Sequence, residues 1–275
     1  MKLQYLGTGA SEGIPCPFCD CAVCRRARKK GHREIRTRTQ AAVDDILLID
    51  FPADTLWHAV RYGLDLTRIR HCLVTHVHGD HFYPAEMGNL RRGFANPSPG
   101  TGPFCFWGSE EMEKTASGYF SGEGSGVKYQ PLLPFQPTEI KGYTVTALKA
   151  AHSTAHPYIY LISRRDTTLL WAHDTDLFPD ETWDYLADRK VRLSFVSLDC
   201  TSGAGPIRYK GAHMDLNGCE KCRDLLIAGG HTTRDTRFCL SHFSHNGSRV
   251  SYGEFSKIAK KHGFLTAYDG MTVKF

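Results

Sequence analysis

The segment THVHGDHF, residues 75–82, carries four potential metal ligands directly after the apolar run HCLV, residues 71–74. If strand alternation persists through the segment, His76 and His78 point the same way, and their imidazoles can hold one ion. Asp80 and His81 lie beyond the following turn and can face a neighbouring ion. Neutral imidazole and carboxylate suit zinc, manganese or iron. The sequence therefore predicts a metal site where a strand ends.

Three further candidate ligands also end predicted apolar strands. His152 ends YTVTALKAAH, Asp174 ends TTLLWAHD and His242 ends RFCLSH. Each alone could be an ordinary polar residue, but as a set they repeat the position of His76. Two ions roughly 3.5 to 4 Å apart could hold a bridging hydroxide and clamp a phosphoryl group from both sides.

Short runs rich in Val, Ile, Leu, Phe and Tyr recur along the chain and predict strands, because Gly, Pro or Asp bound them. Helical patterns lie between some of these runs. The mixture favours mixed sheets covered by helices, in one domain spanning residues 1–275. Residues 96–126 are rich in Gly, Pro and Ser and predict either a mobile flap or a set of turns. The predicted helical segments are PADTLWHAVRYGL, YPAEMGNLRRGF, DETWDYLADR, LNGCEKCRDLLIAGG and SYGEFSKIAKKHG.

The composition is that of an ordinary globular protein, since 41% of the 275 residues are hydrophobic and 23% are charged. No apolar run approaches the roughly 18 to 20 residues that span a bilayer. The N-terminus lacks the apolar core of a signal peptide. These features predict a cytoplasmic protein that has no membrane partner.

The charge of the chain is mildly basic. The formal net charge is +5, and much of it lies in RRARKKGHREIRTR, residues 25–38. Such a run is either a solvated surface or a positive rim that draws in an anionic substrate. Because the rest of the chain is nearly balanced, the sequence argues against nucleic-acid binding.

The glycine-rich segment LGTGASEG, residues 6–13, follows the first predicted strand and invites comparison with dinucleotide-binding turns. Its third glycine falls one residue late for the G-x-G-x-x-G spacing, and a cysteine-rich loop follows in place of a helix. A tight turn between strands is the better interpretation.

The pattern H-x-H-x-D-H at a strand end, followed by a later His, Asp and His, resembles the metallo-β-lactamase superfamily. The resemblance implies an α/β (α+β) fold, a four-layer αββα sandwich with a dinuclear site at one edge of its sheets. It also implies the ligand set. One metal would be held by His76, His78 and His152, the other by Asp80, His81 and His242, and Asp174 would bridge them.

Four of the ten cysteines lie in GIPCPFCDCAVCRRA, residues 13–27. A disulfide, a redox couple and a metal site are the three candidate roles. A reducing cytosol favours metal binding or redox chemistry. The spacing CDC would also strain an ordinary disulfide.

The same region narrows the family, because GTGASEGIPCPFCDCAVCRRA resembles the start of the PhnP group. These phosphodiesterases open phosphoribosyl 1,2-cyclic phosphate. The resemblance implies a structural zinc site, with a closed tetrahedral shell of three thiolates and one imidazole. Cys16 is left over and is expected to be a spectator. The implied zinc ligands are Cys19, Cys21, Cys24 and His245.

A third match to the PhnP group is LDCTSG followed by GAHMDL. It places His213 at the mouth of the site, where it would serve the leaving group. The intervening segment could bring Arg208 or Lys210 near a substrate phosphate. The C-x-x-C pair Cys219 and Cys222 falls within a helical pattern, where buried small hydrophobic side chains are the default expectation.

Together these features predict a metal-dependent phosphodiesterase for a small, anionic cyclic phosphate ester. The predicted catalytic residues are His213 and Asp80. Asp80 would help to hold two divalent transition metals, Mn²⁺ or Zn²⁺, at the active site, and His213 would protonate the leaving alkoxide. The alternatives are a thioester or lactone hydrolase, a tRNA 3′-processing nuclease, and a non-hydrolytic member serving cofactor biosynthesis. The sequence leaves open whether the chain forms a homodimer.

Overall fold

A computed structural model describes residues 1–121, 124–207 and 210–275. Within these ranges the chain forms two seven-stranded sheets that pack face to face. The first sheet contains β1 (Lys2–Gly7), β2 (Gln40–Val43), β3 (Leu47–Ile49), β4 (His71–Leu73), β5 (Phe104–Gly108), β6 (Val127–Pro131) and β14 (Thr272–Lys274).

The second sheet is built from the middle and the later part of the chain. It contains β7 (Thr138–Ile140), β8 (Tyr143–Lys149), β9 (Tyr158–Arg164), β10 (Thr167–Ala172), β11 (Leu193–Asp199), β12 (Thr232–Ser241) and β13 (Phe264–Thr266).

Both sheets are mixed. The first has the order β14-β1-β2-β3-β4-β5-β6, antiparallel up to β3 and parallel from β3 onward. The second has the order β13-β12-β11-β10-β9-β8-β7, parallel from β13 to β10 and antiparallel from β10 to β7. Strands β3, β4, β8, β10, β11 and β12 consequently end at corresponding edges, where side chains of both sheets can meet.

Helices cover the outer faces of both sheets. They are α1 (Ala22–Lys30), α2 (Thr55–Tyr62), α3 (Glu110–Thr115), α4 (Ser117–Phe120), α5 (Asp180–Asp188), α6 (Leu216–Ala228) and α7 (Tyr252–Lys261). Within the described ranges, no helix is long and apolar enough to cross a lipid bilayer.

Three apolar layers hold the molecule together. The layer between the sheets contains the fully buried Tyr5, Tyr160 and Trp171. Phe106 lies in the layer beneath α2, α3 and α4. Leu226 of α6 belongs to the layer that α1, α5, α6 and α7 form with the second sheet. This arrangement confirms the predicted four-layer αββα sandwich.

Side-chain caps fix where the later helices begin. Asp215 accepts a hydrogen bond from the backbone amide of Gly218 at 2.7 Å and starts α6. Ser251 and Glu254 form a reciprocal capping box at the start of α7. Caps of this kind are worth about 1 kcal/mol each. The cap on α6 also fixes the chain two residues after His213.

The basic segment contains most of α1 and the short 3₁₀ turn His32–Glu34. Three basic residues at the end of α1 complement the helix dipole. Several guanidinium groups pair with nearby carboxylates: Arg25 with Asp20, Arg26 with Glu34 and Arg38 with Asp54.

One predicted helix differs from the structure. The segment YPAEMGNLRRGF forms a 3₁₀ helix over Pro84–Leu90 in place of an α-helix. Gly88 lies inside this segment and weakens an α-helix by about 1 kcal/mol relative to alanine. Residues 96–126 contain β5, α3 and α4.

The glycine-rich turn after β1 is a packing feature. A Cβ atom on Gly7 would lie only 1.9 Å from the backbone oxygen of Arg38, so the close approach requires glycine. The amide of Ala10 donates to the backbone oxygen of Phe243 at 3.0 Å. The turn therefore places the N-terminal cysteines beside the end of β12.

Candidate metal centre

The predicted ligands converge at the edge where the strands of both sheets end. His76 lies just beyond β4, His152 beyond β8 and Asp174 beyond β10. His242 directly follows β12. Residues far apart in sequence therefore meet here, and His152, Asp174 and His242 line a cavity of about 430 Å³.

The first group of ligand atoms surrounds Nδ1 of His78. Nε2 of His76 lies 3.0 Å from it, and Nε2 of His152 lies 3.1 Å from it. Oδ2 of Asp174 is 3.4 Å from both of these Nε2 atoms. All four ligand atoms lie within 4.8 Å of one another.

The second group lies on the other side of Asp174. Nε2 of His81 is 3.2 Å from Oδ2 of Asp174 and 3.4 Å from Oδ2 of Asp80. Nε2 of His242 is 3.3 Å from Nε2 of His81. These atoms also lie within 4.8 Å of one another. One carboxylate oxygen, Oδ2 of Asp174, therefore faces both groups.

Asp50 is a buried carboxylate that orients the second group. Its Oδ1 accepts hydrogen bonds from the amide and hydroxyl of Thr75, both at 2.8 Å. Its Oδ2 lies 2.7 Å from Nδ1 of His81. Burial alone would lower the pKa of His81, but the charges of Asp174 and Asp50 raise it. With its Nδ1 proton donated to Asp50, His81 directs Nε2 toward the centre.

Asp199 is a second buried carboxylate, and it orients His213 as Asp50 orients His81. Its Oδ1 accepts from the amide and hydroxyl of Thr201, and its Oδ2 accepts from the amide of Asp174. The same Oδ2 lies 2.7 Å from Nδ1 of His213. Burial alone would lower the pKa of His213, but the charge of Asp199 and this hydrogen bond raise it to about 9. The ring therefore favours its protonated form.

Three further imidazoles are oriented through their Nδ1 atoms, those of His76, His152 and His242. Thr75 Oγ1 lies 3.1 Å from Nδ1 of His76, and Thr201 Oγ1 lies 2.8 Å from Nδ1 of His242. The backbone oxygen of Ala212 lies 3.0 Å from Nδ1 of His152. Each hydrogen bond leaves the Nε2 lone pair facing the centre. Nitrogen lone pairs and carboxylate oxygens therefore converge on the same small volume. Ligands of this kind bind divalent cations, so the residues fit a metal site.

Three residues at this edge of the sheets have left-handed backbone conformations. Asp50, Asp174 and His242 are non-glycine residues with φ of 67°, 51° and 60°. The left-handed region is unfavourable for side-chain-bearing residues and is retained where the surroundings demand it. These strained residues lie just beyond the ends of β3, β10 and β12, beside the two ligand groups.

His213 lines the cavity around these groups, together with Glu12 and Ser244. Lys210, a predicted substrate contact, is exposed, and its role stays a prediction. The other predicted contact, Arg208, lies outside the described residues. The neighbouring Gly211 is held by Oδ2 of Asp176, which accepts from its amide at 2.7 Å.

The cysteine loop, residues 16–24, forms a separate donor set beside the end of β12. Nδ1 of His245 lies 3.6 Å from the sulfurs of both Cys19 and Cys21. The ligand atoms of these residues and Cys24 lie within 4.8 Å of one another. Zn–S and Zn–N bonds of about 2.3 and 2.0 Å in a tetrahedral shell place sulfur and nitrogen about 3.6 Å apart. The donor set therefore fits zinc.

Two thiols of this set have opposite pKa shifts, because burial raises the pKa of Cys24 to about 12. Burial would raise the pKa of Cys21, but hydrogen bonds from the amide of Cys24 and from His245 lower it to about 6. A thiolate is the form that binds metal. Cys16 is half-buried, and its amide points at the sulfur of Cys24 at 3.4 Å. In contrast, Cys219 and Cys222 are fully buried on α6, as expected of small hydrophobic side chains.

Glu12 connects the cysteine loop with the cavity. Its carboxylate accepts a hydrogen bond from the hydroxyl of Ser244. The same oxygen lies 3.6 Å from Nε2 of His245. Because Glu12 and Ser244 line the cavity, the loop and the His/Asp centre share one wall.

Sequence reasoning missed the supporting residues Asp50, Thr75, Asp199 and Thr201. The signal available for both aspartates was an acidic residue at the end of an apolar strand, in LLID and VSLD. The same signal had been used for Asp174.

Similar solved structures share the whole fold. A diphosphatase from the PhnP family is 21% identical, with a TM-score of 0.76 over 100% of this chain and 97% of that one. Zn²⁺-bound PqqB from Methylobacterium extorquens is 17% identical, with a TM-score of 0.76 and 100% of both chains covered. The short form of human tRNase Z is 14% identical, with a TM-score of 0.65 over 100% and 99%.

Sequence comparison gives the family. No curated protein matches the chain. A family model described as a beta-lactamase superfamily domain matches residues 42–242, most of the chain and all the His/Asp ligands. The chain therefore belongs to the beta-lactamase superfamily and has the metallo-β-lactamase fold of metal-dependent hydrolases.

Proposed function

We propose that the protein is a metal-dependent phosphodiesterase that hydrolyses a small cyclic or activated phosphate ester. The observation that carries the proposal is the convergence of two four-ligand groups on Oδ2 of Asp174, within a cavity that His213 also lines. An enzyme that cleaves phosphate esters needs charge neutralisation, activated water and a proton for the leaving group.

The His/Asp centre would provide the first two of these needs. His76, His78 and His152 would hold one divalent cation, Asp80, His81 and His242 the other, and Asp174 would serve both. Two such cations, Mn²⁺ or Zn²⁺, supply activated water and offset charge on the phosphoryl oxygens.

His213 would provide the proton. Its Nδ1 is engaged with Asp199. We assign to its Nε2 the proton that goes to the leaving alkoxide. Asp199 fixes the orientation of the ring by the same contact. The cap on α6 and the bond between Gly211 and Asp176 hold the backbone on both sides of His213.

The cysteine set would hold a structural zinc ion through Cys19, Cys21, Cys24 and His245. A closed shell of four protein ligands is typical of structural sites, whereas catalytic sites keep a position open. The ion would join the N-terminal turn to the segment after β12. It would therefore stabilise the wall that carries Glu12 and Ser244.

The comparisons support hydrolysis of phosphate compounds without naming this substrate. One similar structure is a diphosphatase of the PhnP family and another is a tRNase Z. The ester opened by the PhnP group, phosphoribosyl 1,2-cyclic phosphate, is the first substrate to test.

A substrate panel tests the proposal. The metal-loaded protein is given cyclic phosphates, linear phosphodiesters, thioesters and lactones at equal concentration, with Asp80→Ala as the control for contaminating hydrolases. We expect turnover of phosphate esters in the unmodified protein alone. Turnover confined to thioesters or lactones would overturn the proposal in favour of those chemistries.

A further inference from the structure

A second and larger cavity adjoins the metal centre. Its volume is about 820 Å³, within the range of small-molecule sites. His152 lines both this cavity and the smaller one around the His/Asp groups. A substrate whose ester bond lies at the metal centre therefore has room to extend past this imidazole.

The walls of the larger cavity are mainly apolar and stiff. Tyr129 and Tyr158 provide aromatic surface, and Leu132 and Leu133 provide aliphatic surface. Proline contributes rigidity because its ring fixes one backbone torsion. The prolines that line the cavity are Pro131, Pro134, Pro157 and Pro179.

The rim is already ordered by the neighbouring helix. The carboxylate of Glu111 on α3 accepts hydrogen bonds from the amides of Ala155 and His156 at 3.4 and 3.0 Å. Glu110 pairs with His156 at 3.3 Å. These contacts hold the loop that follows His152, so binding there needs little reorganisation.

The charges around this cavity disfavour a second anionic group. Lys149, the lysine on its wall, pairs with Glu181 at 2.9 Å. Burial, followed by the charges of Glu113 and Glu110, raises the pKa of Tyr129 to about 12. The carboxylates of Glu110 and Glu113 line the same cavity and would repel a phosphate.

We infer that this cavity binds the organic part of the substrate, and that this part is an uncharged, planar aromatic group such as an aryl ring or a nucleobase. The inference rests on the proposed function and narrows its substrate class. A phosphoribosyl ester, which carries a second phosphate, is disfavoured by the carboxylates of Glu110 and Glu113. Aromatic side chains and prolines offer flat surfaces against which such a ring can stack.

Calorimetric titration of the metal-loaded protein tests this inference without requiring turnover. The probes are methyl phosphate, 2-naphthylmethyl phosphate and ethane-1,2-diyl bisphosphate. We expect the naphthyl compound to bind at least about tenfold more tightly than methyl phosphate, because its ring leaves water. The bisphosphate should bind no more tightly than methyl phosphate.

Two variants test whether the tighter binding of the naphthyl compound depends on the cavity. Ala155→Trp fills it from an exposed loop position, and Leu133→Ser removes apolar wall from a side chain that is 56% exposed. Both should lose most of the naphthyl advantage and keep the affinity for methyl phosphate. Leu56→Ser, on exposed α2, is the matched control and should bind all probes as the unmodified protein does.

The outcomes separate the two proposals. Equal binding of naphthyl and methyl compounds, tighter binding of the bisphosphate, or a naphthyl advantage that survives in both cavity variants would overturn the inference and leave the phosphodiesterase proposal standing. If the loaded protein binds none of the phosphates, the phosphodiesterase proposal fails and the inference fails with it.

Discussion

Oδ2 of Asp199 lies 2.7 Å from Nδ1 of His213 and also accepts the backbone amide of Asp174 at 3.0 Å. Asp199 is fully buried. One carboxylate therefore positions both the proposed proton donor and the residue shared by the two ligand groups. The proposed proton donor and the candidate metal ligands therefore share one buried support.

The role of His213 can be separated from metal binding by changing the leaving group. His213→Ala should keep its metals but lower kcat roughly 10²- to 10⁴-fold for a diester with an alkoxide leaving group. A nitrophenolate leaving group needs no proton, so its rate should fall far less. Equal losses for both esters would show that His213 does not protonate the leaving group.

Asp199→Asn tests the positioning contact. An amide keeps the size of the side chain but loses the negative charge that holds the Nδ1 proton of His213. Loss of such an outer contact typically costs about 10- to 100-fold in activity. The alkoxide ester should again suffer more than the nitrophenyl ester. A uniform loss for both esters, accompanied by metal loss, would instead assign Asp199 to support of the ligands.

His242 and His245 are three residues apart and should differ in function. His242→Ala should lose activity with little change in melting temperature. His245→Ala should melt earlier, lose one zinc ion and expose the cysteine loop to thiol reagents, because metal binding there is coupled to local folding. Zinc analysis and thiol labelling of the two variants side by side check this. Retained zinc and protected thiols in His245→Ala would rule out the proposed tetrahedral set.

Glu12 should strengthen zinc binding at the proposed cysteine site without being a ligand itself. Its carboxylate lies 3.6 Å from Nε2 of His245. Glu12→Gln should weaken zinc binding by about 10- to 100-fold, as measured by competition with a chelator. Glu86→Gln, on the Pro84–Leu90 turn, is a control that should behave like the unmodified protein. If both variants hold zinc equally well, Glu12 does not orient His245.

Asp269 should give the stability of the protein a measurable pH dependence. Burial raises its pKa to about 6, although Thr37 and Thr8 donate hydrogen bonds to it. Since the folded pKa lies above the unfolded value, the contribution is fully present below about pH 3.9 and is lost as pH rises through about 6. Asp269→Asn, which resembles the neutral form, should therefore gain melting temperature relative to the unmodified protein between pH 4.5 and about 7. A constant difference over that range would contradict the raised pKa.

The central ligands of the metal site could be predicted because several of them lie close together in the sequence. His76, His78, Asp80 and His81 lie within six consecutive residues, so one strand end and one turn bring them together. The sandwich then follows from strands that end at a common edge, as the resemblance implied.

The supporting residues could not be predicted, because their partners are distant in sequence. Asp50 meets Thr75 across 25 residues and His81 across 31. An aspartate at the end of an apolar strand, as in LLID or VSLD, marks a candidate residue but does not say which side chains it contacts. The larger cavity depends on Tyr129, His156 and Pro179, which only the packed fold brings together.

We propose that the His/Asp centre, when loaded with divalent cations, hydrolyses phosphodiesters. The most direct test removes metal from this centre with a chelator, adds Mn²⁺ or Zn²⁺ back stepwise, and follows both bound metal and hydrolysis of a cyclic phosphate. We predict that turnover rises with loading and levels off once about two ions per chain have returned, and that Asp80→Ala shows no such rise. Phosphodiester turnover that is independent of metal, or absent at every loading, would contradict the account.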